Sequence, residues 1–269
     1  MSIPKVIHYC WFGGNPKSDI IKKCINSWKE FCPDYEIIEW NETNFDVNRI
    51  KYTADAYSEK KWAFVSDYAR LQVVYENGGI YLDTDVLLHS SLDELLEYKC
   101  WLASDDVRYI ATGLGFGAEK HNKLIKVIAD AYEGYEYPSG TNVLRDTKIF
   151  EENVQGWKKS DRNQIIDGIL LIGLRDCSKY AVHLYTYTWA EEDIKKKRIK
   201  EILSNKKDSF SQRVIWKIKT VFRSPKLIAY FDKRKGTRLE KAYTFFAYDF
   251  LDYGLLHYLK RFIYKLIRK

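Results

Sequence analysis

Residues 62–88 read WAFVSDYARLQVVYENGGIYLDTDVLL, and the fold follows from how this stretch is parsed. Phe64, Ala69, Leu71, Val74 and Tyr75 recur at helical spacing, and the pattern stops at Asn77-Gly78-Gly79, a helix C-terminal signal. An apolar run at 80–82 then leads into Asp83-Thr84-Asp85, and a second one follows at 86–88. A helix delivered into a short buried strand is the repeating unit of α/β architecture. The same alternation extends outward. Residues 5–12 (KVIHYCWF) read as a strand ending at Gly13-Gly14. Ser18 caps a helix to about Phe31, and Pro33-Asp34 turns the chain into a strand at 36–40. Further strand-like runs lie near 101–104, 114–118, 165–172 and 181–187, with helices near 122–132 and 142–153. The expectation is an α/β domain with a mixed, mostly parallel sheet flanked by helices.

At 46% hydrophobic and 30% charged, the 269-residue chain has enough apolar residues for a packed core, which excludes wholesale disorder. No run approaches the roughly 18 to 20 apolar residues of a membrane span, and residues 1–14 carry no basic-then-apolar leader. The five cysteines (10, 24, 32, 100 and 177) are odd in number and lack metal spacing, so reduced thiols and a cytoplasmic location are expected. The net charge of +7 hides a division. Residues 191–269 hold 22 of the 44 basic residues but 9 of the 37 acidic ones, a net of +13, leaving 1–190 at −6. After about Glu191 strand signals fade, and Lys and Arg interleave with large apolar residues, as in 214–219 (VIWKIK) and 258–269 (YLKRFIYKLIRK). Two parts are therefore expected: a catalytic domain over 1–190 and a basic amphipathic helical extension over 191–269, a candidate membrane-association region.

Residues two apart in an extended segment point the same way, so Asp83 and Asp85 present two carboxylates to one side. Two such carboxylates repel unless a cation lies between or before them, and hard oxygen ligands suit Mg²⁺ or Mn²⁺. A bare D-x-D is common by chance; the apolar run and the glycine break before it give this one its weight. Asp67 and Arg70, three apart, share one face of the helix. By themselves they would be an ordinary surface ion pair, but their neighbours are apolar and the helix leads straight to the acidic pair. Together they read as a carboxylate and a guanidinium turned into the same cleft.

Ser66-Asp67-Tyr68-Ala69-Arg70 followed by Gly78-Gly79-Ile80-Tyr81-Leu82-Asp83-Thr84-Asp85 resembles the signature of the D-x-D sugar transferases of glycosyltransferase family 32. The opening from Ile3 to Gly14 is similar to that family's first strand, and Trp28 with Pro33-Asp34-Tyr35 to its next helix and turn. The match covers about residues 3–90 and is diffuse afterwards. The resemblance implies a GT-A fold, a nucleotide-sugar donor (UDP-sugar favoured) and Mn²⁺ or Mg²⁺. It implies that Trp11 lies against the nucleotide base, that Asp67 and Arg70 hold ribose, sugar hydroxyls or phosphate, and that Asp83 contacts ribose and metal. Asp85 would be the direct metal ligand. Residues 183–189 (HLYTYTW) resemble the family's late His…Ser-Trp element, with Thr where Ser is usual. His183 would complete the metal shell, and Thr188 and Trp189 would contact diphosphate or sugar. The implied catalytic set is Asp67, Arg70 and Asp85. His8, inside the first strand, reads as structural. Residues 112–117 (TGLGFG) read as a loop and strand beside the donor sugar, while 135–146 match no family pattern and leave the acceptor side open.

The function so implied is metal-dependent transfer of a sugar, with retention taken from the family, to a saccharide acceptor. A polyprenyl-diphosphate-linked saccharide and capsular polysaccharide synthesis at the inner face of the cell membrane fit that class. Two other classes compete. Residues 80–86 (IYLDTDV) also fit the D-x-D-x-V phosphatase motif, but that motif normally begins at the first strand and leaves Asp67 and Arg70 without a role. A non-enzymatic adaptor built on the basic tail is the other; the large apolar residues at helical spacing there favour lipid over nucleic acid.

Each basic residue near an anionic leaflet contributes on the order of 1 kcal/mol. The full chain is expected to co-sediment with anionic vesicles at low salt, to release them as salt rises, and to lose binding when about 209–269 are deleted. Failure of the full chain to co-sediment at low salt would return the tail to a packing or oligomer surface.

Overall fold

The computed structural model describes residues 3–104, 109–137, 142–158 and 160–186. All lie within the first of two compact units of the chain, Met1–Leu203. The expected extension over 191–269, like Thr188 and Trp189, falls outside the described residues.

Seven strands form the main sheet: β1 (Val6–Cys10), β2 (Glu36–Trp40), β3 (Gly79–Tyr81), β5 (Cys100–Ala103), β6 (Phe116–Ala118), β7 (Gln164–Ile166) and β8 (Ile169–Ile172), in the order β2-β1-β3-β6-β5-β8-β7. Pairing is parallel from β2 through β1 to β3, antiparallel on both sides of β6, parallel between β5 and β8, and antiparallel to β7. Five strands thus share one direction and two oppose it, the mixed, mostly parallel sheet expected from the sequence.

The helix α1 (Asp19–Phe31) starts where Ser18 accepts from the Ile21 amide and carries the chain from β1 to β2. The helices α2 (Lys51–Ser58) and α3 (Trp62–Asn77) bring it back to β3 on the other side of β1. The order of connection reverses between β1 and β3, and the crevice beyond the carboxyl ends of such strands is where open α/β sheets bind ligands. Side chains alternate across the sheet as a period of two requires. Tyr81, Cys100 and Leu102 join the core under α2, α3, α4 (Lys123–Asp130) and α5 (Asn142–Asn153). Ile80, Leu82, Trp101 and Ala103 join Trp28 of α1 in the core on the opposite face.

Three sequence expectations need correction. Residues 165–172 are not one strand but the hairpin β7–β8, because Asp167 and Gly168 adopt φ of 52° and 79°, the left-handed pair that an Asp-Gly hairpin turn uses. The run near 181–187 does not join the main sheet: β9 (Ala181–His183) pairs antiparallel with β4 (Val86–Leu88) in a sheet of two. The helices α2 and α6 (Leu174–Tyr180) are absent from the sequence reading: each spans only about two turns, too short for an apolar period to stand out, and neither has a side-chain cap. All five cysteines are free and buried.

His8 has the structural role expected of it. Trp40 Nε1 donates to its Nδ1 at 3.0 Å, so its Nε2–H donates to the Gly78 carbonyl at 2.8 Å, tying β1 and β2 to the end of α3. Burial holds this neutral imidazole below its ordinary value, outweighing the bond to Gly78. The unfolded chain takes up a proton near pH 6.5 that the folded chain refuses. Stability is therefore retained above that pH and lost below it, at up to about 1.4 kcal/mol per pH unit. Urea unfolding from pH 7.5 to 5.5 should show this fall. His8→Gln should be less stable at pH 7.5 yet shallower in its pH dependence. Equal slopes in the two proteins would mean that His8 titrates normally.

Candidate active site

Asp67 and Arg70, one turn apart on α3, are both buried, and they do not form a surface ion pair. An Arg70 terminal nitrogen lies 3.2 Å from Asp67 Oδ1 and 3.1 Å from Asp83 Oδ1, while Nε donates to the Ser66 carbonyl at 3.1 Å. The guanidinium sits 5.1 Å from the Tyr81 ring centre, and the Tyr81 hydroxyl donates to Asp83 Oδ1 at 2.9 Å. Strand β3 carries Tyr81 on its α3 face, and the chain then leaves the strand at Asp83, so helix and strand end meet at one carboxylate. Burial pushes the Asp67 carboxyl up to about 7, with Arg70 and Arg145 opposing.

Asp85 is held differently. Its Oδ1 lies 2.9 Å from His183 Nε2, and its Oδ2 accepts from the backbone N–H and the hydroxyl of Thr186 at 2.8 and 2.9 Å. The Leu184 amide donates to the Asp85 carbonyl at 3.0 Å, extending the β4–β9 pairing. Burial alone would raise this carboxyl, but His183 and the two bonds from Thr186 hold it well below the usual carboxylate range. On the other side of β4, Trp28 donates to the Val86 carbonyl at 2.8 Å and Ser27 Oγ accepts from the Leu88 amide at 3.0 Å, so α1 fixes the strand that follows Asp85.

Asp83, Asp85 and His183 each offer one ligand atom, and these lie within 4.8 Å of one another. Two carboxylate oxygens and an imidazole nitrogen are a donor set that fits Mn²⁺ or Mg²⁺. Trp11 stands just past the carboxyl end of β1, half-buried, its Nε1 donating to the Asn15 carbonyl at 2.7 Å and Lys17 5.3 Å from its ring. Its amide donates to the Trp40 carbonyl at 2.8 Å, and its ring packs against the core on the α1 face of the sheet.

Several polar residues around Asp67 were not found by sequence reasoning. Arg145 of α5 lies 3.6 Å from Asp67 Oδ2, donates to the Tyr52 hydroxyl at 2.9 Å, and faces the rings of Tyr52 and Tyr132 at 5.0 and 4.7 Å. Its neighbour Asp146 is fully buried. Nothing in NVLRDTKIFEEN separates Arg145 and Asp146 from the solvated charges of the same helix.

A protein-family profile described as a glycosyltransferase sugar-binding region containing DXD motif matches residues 18–102. By this match residues 18–102 are similar to a DXD sugar-binding region. That region contains Asp67, Arg70, Asp83 and Asp85, and ends before His183 and α5. Two relatives come from Schizosaccharomyces pombe (strain 972 / ATCC 24843). Inositol phosphoceramide mannosyltransferase 3 is 26% identical over 173 residues, 59% of this chain and 46% of its own length. Inositol phosphoceramide mannosyltransferase 2 is 28% identical over 141 residues, 49% of this chain and 39% of its own. The chain thus spans less than half the length of either. Among solved structures, PaToxG Glycosyltransferase aligns at a TM-score of 0.39 and 15% identity over 93% of this chain and 86% of that one. A glycosyltransferase involved in the glycosylation of the major capsid of PBCV-1 aligns at 0.41 and 10%, over 73% and 99%.

Removing the guanidinium would leave the buried Asp67 without its close cation and facing the part-exposed Asp83. Arg70→Ala is expected to cost about 3–5 kcal/mol in urea unfolding, with partial recovery in Asp67→Asn/Arg70→Ala. A loss below about 1 kcal/mol in the single variant would show that the two carboxylates are hydrated.

Proposed function

We propose that the chain transfers a sugar from a nucleoside-diphosphate donor to a saccharide acceptor, with Asp83, Asp85 and His183 holding a divalent cation. The observation that carries this is the convergence of those three ligand atoms beside the buried Arg70. When bound, Mn²⁺ or Mg²⁺ supplies positive charge at the leaving diphosphate. In this reading Asp67 and Arg70 hold ribose, sugar hydroxyls or phosphate, Trp11 stacks on the base, and Thr188 and Trp189 contact diphosphate or sugar. Arg70, held as a cation between two carboxylates, adds charge stabilisation that requires no reorganisation. With Asp83 and Asp85 taken as ligands and Asp67 paired with Arg70, this reading names no carboxylate as a covalent nucleophile. The acceptor oxygen then bonds to the anomeric carbon on the face from which the diphosphate leaves, and the departing phosphate oxygen takes its proton, retaining configuration.

UDP-sugars are the favoured donors. The relatives' names add mannosyl transfer and a ceramide-linked acceptor, which supports a lipid-linked saccharide here and puts nucleotide-mannose beside UDP-sugars in a donor panel. The catalytic part is 1–190. The basic part, 191–269, would bring it peripherally to an anionic membrane face, in the manner of cell-surface or capsular polysaccharide synthesis; no helix among the described residues is long and apolar enough to cross a membrane. The phosphatase alternative needs the second aspartate to donate a proton. Asp85, held ionised by His183 and Thr186, is poorly suited to that.

The test is diphosphate release from a panel of nucleotide sugars with and without Mn²⁺. Release should require the metal, and Asp85→Asn should lose on the order of 10²-fold or more with its unfolding transition preserved. Undiminished release in EDTA would remove the metal role, and turnover of p-nitrophenyl phosphate alone would replace the transferase reading with the phosphatase.

A further inference from the structure

Three consecutive residues of α5, Arg145, Asp146 and Thr147, are all buried, although successive helical positions point about 100° apart. One reaches α3 and the other two converge on one loop. Arg145 faces Asp67. Asp146 Oδ2 accepts from the Thr112 hydroxyl at 2.7 Å, and its Oδ1 from the Tyr132 hydroxyl at 3.1 Å. Thr147 Oγ1 accepts from the Ile110 amide at 3.0 Å. Thr112 and Ile110 belong to residues 109–115, which lead into β6 and close on themselves through bonds from the Leu114 and Gly115 amides to the Ala111 carbonyl.

This loop touches the acidic pair directly. The Gly113 carbonyl accepts from the Asp83 amide at 3.0 Å. The backbone comes so close that a Cβ on Gly113 would stand 2.3 Å from Asp83 Oδ2 and 3.2 Å from an Arg70 terminal nitrogen. Asp83 is therefore seated between two surfaces: Arg70 and Tyr81 meet Oδ1, and the Gly113 backbone packs against one side of Oδ2, with the carboxylate still part-exposed.

We propose that the Asp146–Thr112 hydrogen bond, with Thr147–Ile110 beside it, is a latch through which α5 sets the orientation of the Asp83 carboxylate. Thr112 and Asp146 are positioning residues: they act on Asp83 through Gly113 and touch neither of the other candidate ligands. Both ends of the bond are buried, at 1% and 0% exposure, so water does not replace it when it is unmade. Partners that orient a metal-holding carboxylate typically change metal affinity by about 10–100-fold when lost. The inference rests on the reading of Asp83 as a donor- and metal-holding group, and the measurements separate the two.

The test uses the full chain with Thr112→Val, which keeps the shape and removes the hydroxyl, Thr112→Ser, which restores it, and Thr147→Val. Three quantities are read: Mn²⁺ binding without nucleotide, kcat and KM for diphosphate release, and hydrogen exchange at the Asp83 amide. Thr112→Val should weaken Mn²⁺ binding and lower kcat by about tenfold or more and speed exchange at Asp83, with Thr112→Ser within about twofold of wild type. Thr147→Val should move all three in the same direction, and it decides the matter if Thr112→Val does not fold. Wild-type Mn²⁺ affinity and exchange in both valine variants, or equal losses in Thr112→Ser, would overturn the latch. If the wild type neither binds Mn²⁺ nor releases diphosphate, the transferase reading falls. Exchange then judges the latch alone, upheld by a faster Asp83 amide in Thr112→Val and refuted by an unchanged one.

Discussion

Arg70 is 3% exposed and lies between the buried Asp67 and the part-exposed Asp83, so a charge with little access to water has two carboxylates beside it. Its position follows from where α3 ends. The helix packs along the sheet, stops at Asn77, and turns through two glycines into β3, so Arg70 overlies Tyr81 and reaches the first residue after Leu82. Most of the surrounding polar structure compensates this one buried charge. Asp67 and Asp83 balance it, the Ser66 carbonyl orients it, and Arg145 offsets the excess negative charge that Asp67 and Asp146 would otherwise leave. The apolar cores on the two faces of the sheet then keep water from this network, which is what makes its charges strong.

The two aspartates of the D-x-D are two residues apart in sequence but differ in environment. Asp83 is tied to the helix before it through Arg70, and to the β6 loop through Gly113. Asp85 is tied to β9 and Thr186, 98 to 101 residues further along. An extended-segment reading places both carboxylates on one side, and their ligand atoms do lie together. It does not show that one is neutralised by a guanidinium while the other is clamped by an imidazole and a threonine.

Local signals explain what could be read from the chain. The capping serine at 18, the glycine stop after Asn77 and the apolar runs of β1 to β3 give the first strands of the main sheet, and the run at 86–88 gives β4, with boundaries within a residue or two. Asp67, Arg70, Asp83 and Asp85 stood out because four functional groups fall within 19 residues joined by one helix and one strand. His183 was found through a resemblance, since a lone histidine in a strand carries no periodic signal. Arg145, Asp146 and Thr112 escaped because their meaning is tertiary. Among the exposed Lys148, Glu151 and Glu152 of the same helix, nothing in α5 marks two charges as buried until the rings of Tyr52 and Tyr132 close over them. The Asp-Gly turn inside 165–172 is a legible signal that the apolar residues on both sides of it mask.

The separation of Asp85 from His183 and Thr186 also orders events in time. At a translation rate of about 5–20 residues per second, the acidic pair leaves the ribosome roughly 5 to 20 seconds before the strand that clamps Asp85. Helix α3, β1 and β3 are all synthesised before that interval begins, whereas the His183 and Thr186 partners of Asp85 are not. The last described strand of this unit is therefore the piece that completes the Asp83–Asp85–His183 cluster, and a chain arrested anywhere between Asp85 and His183 displays the two aspartates without the histidine that closes on them.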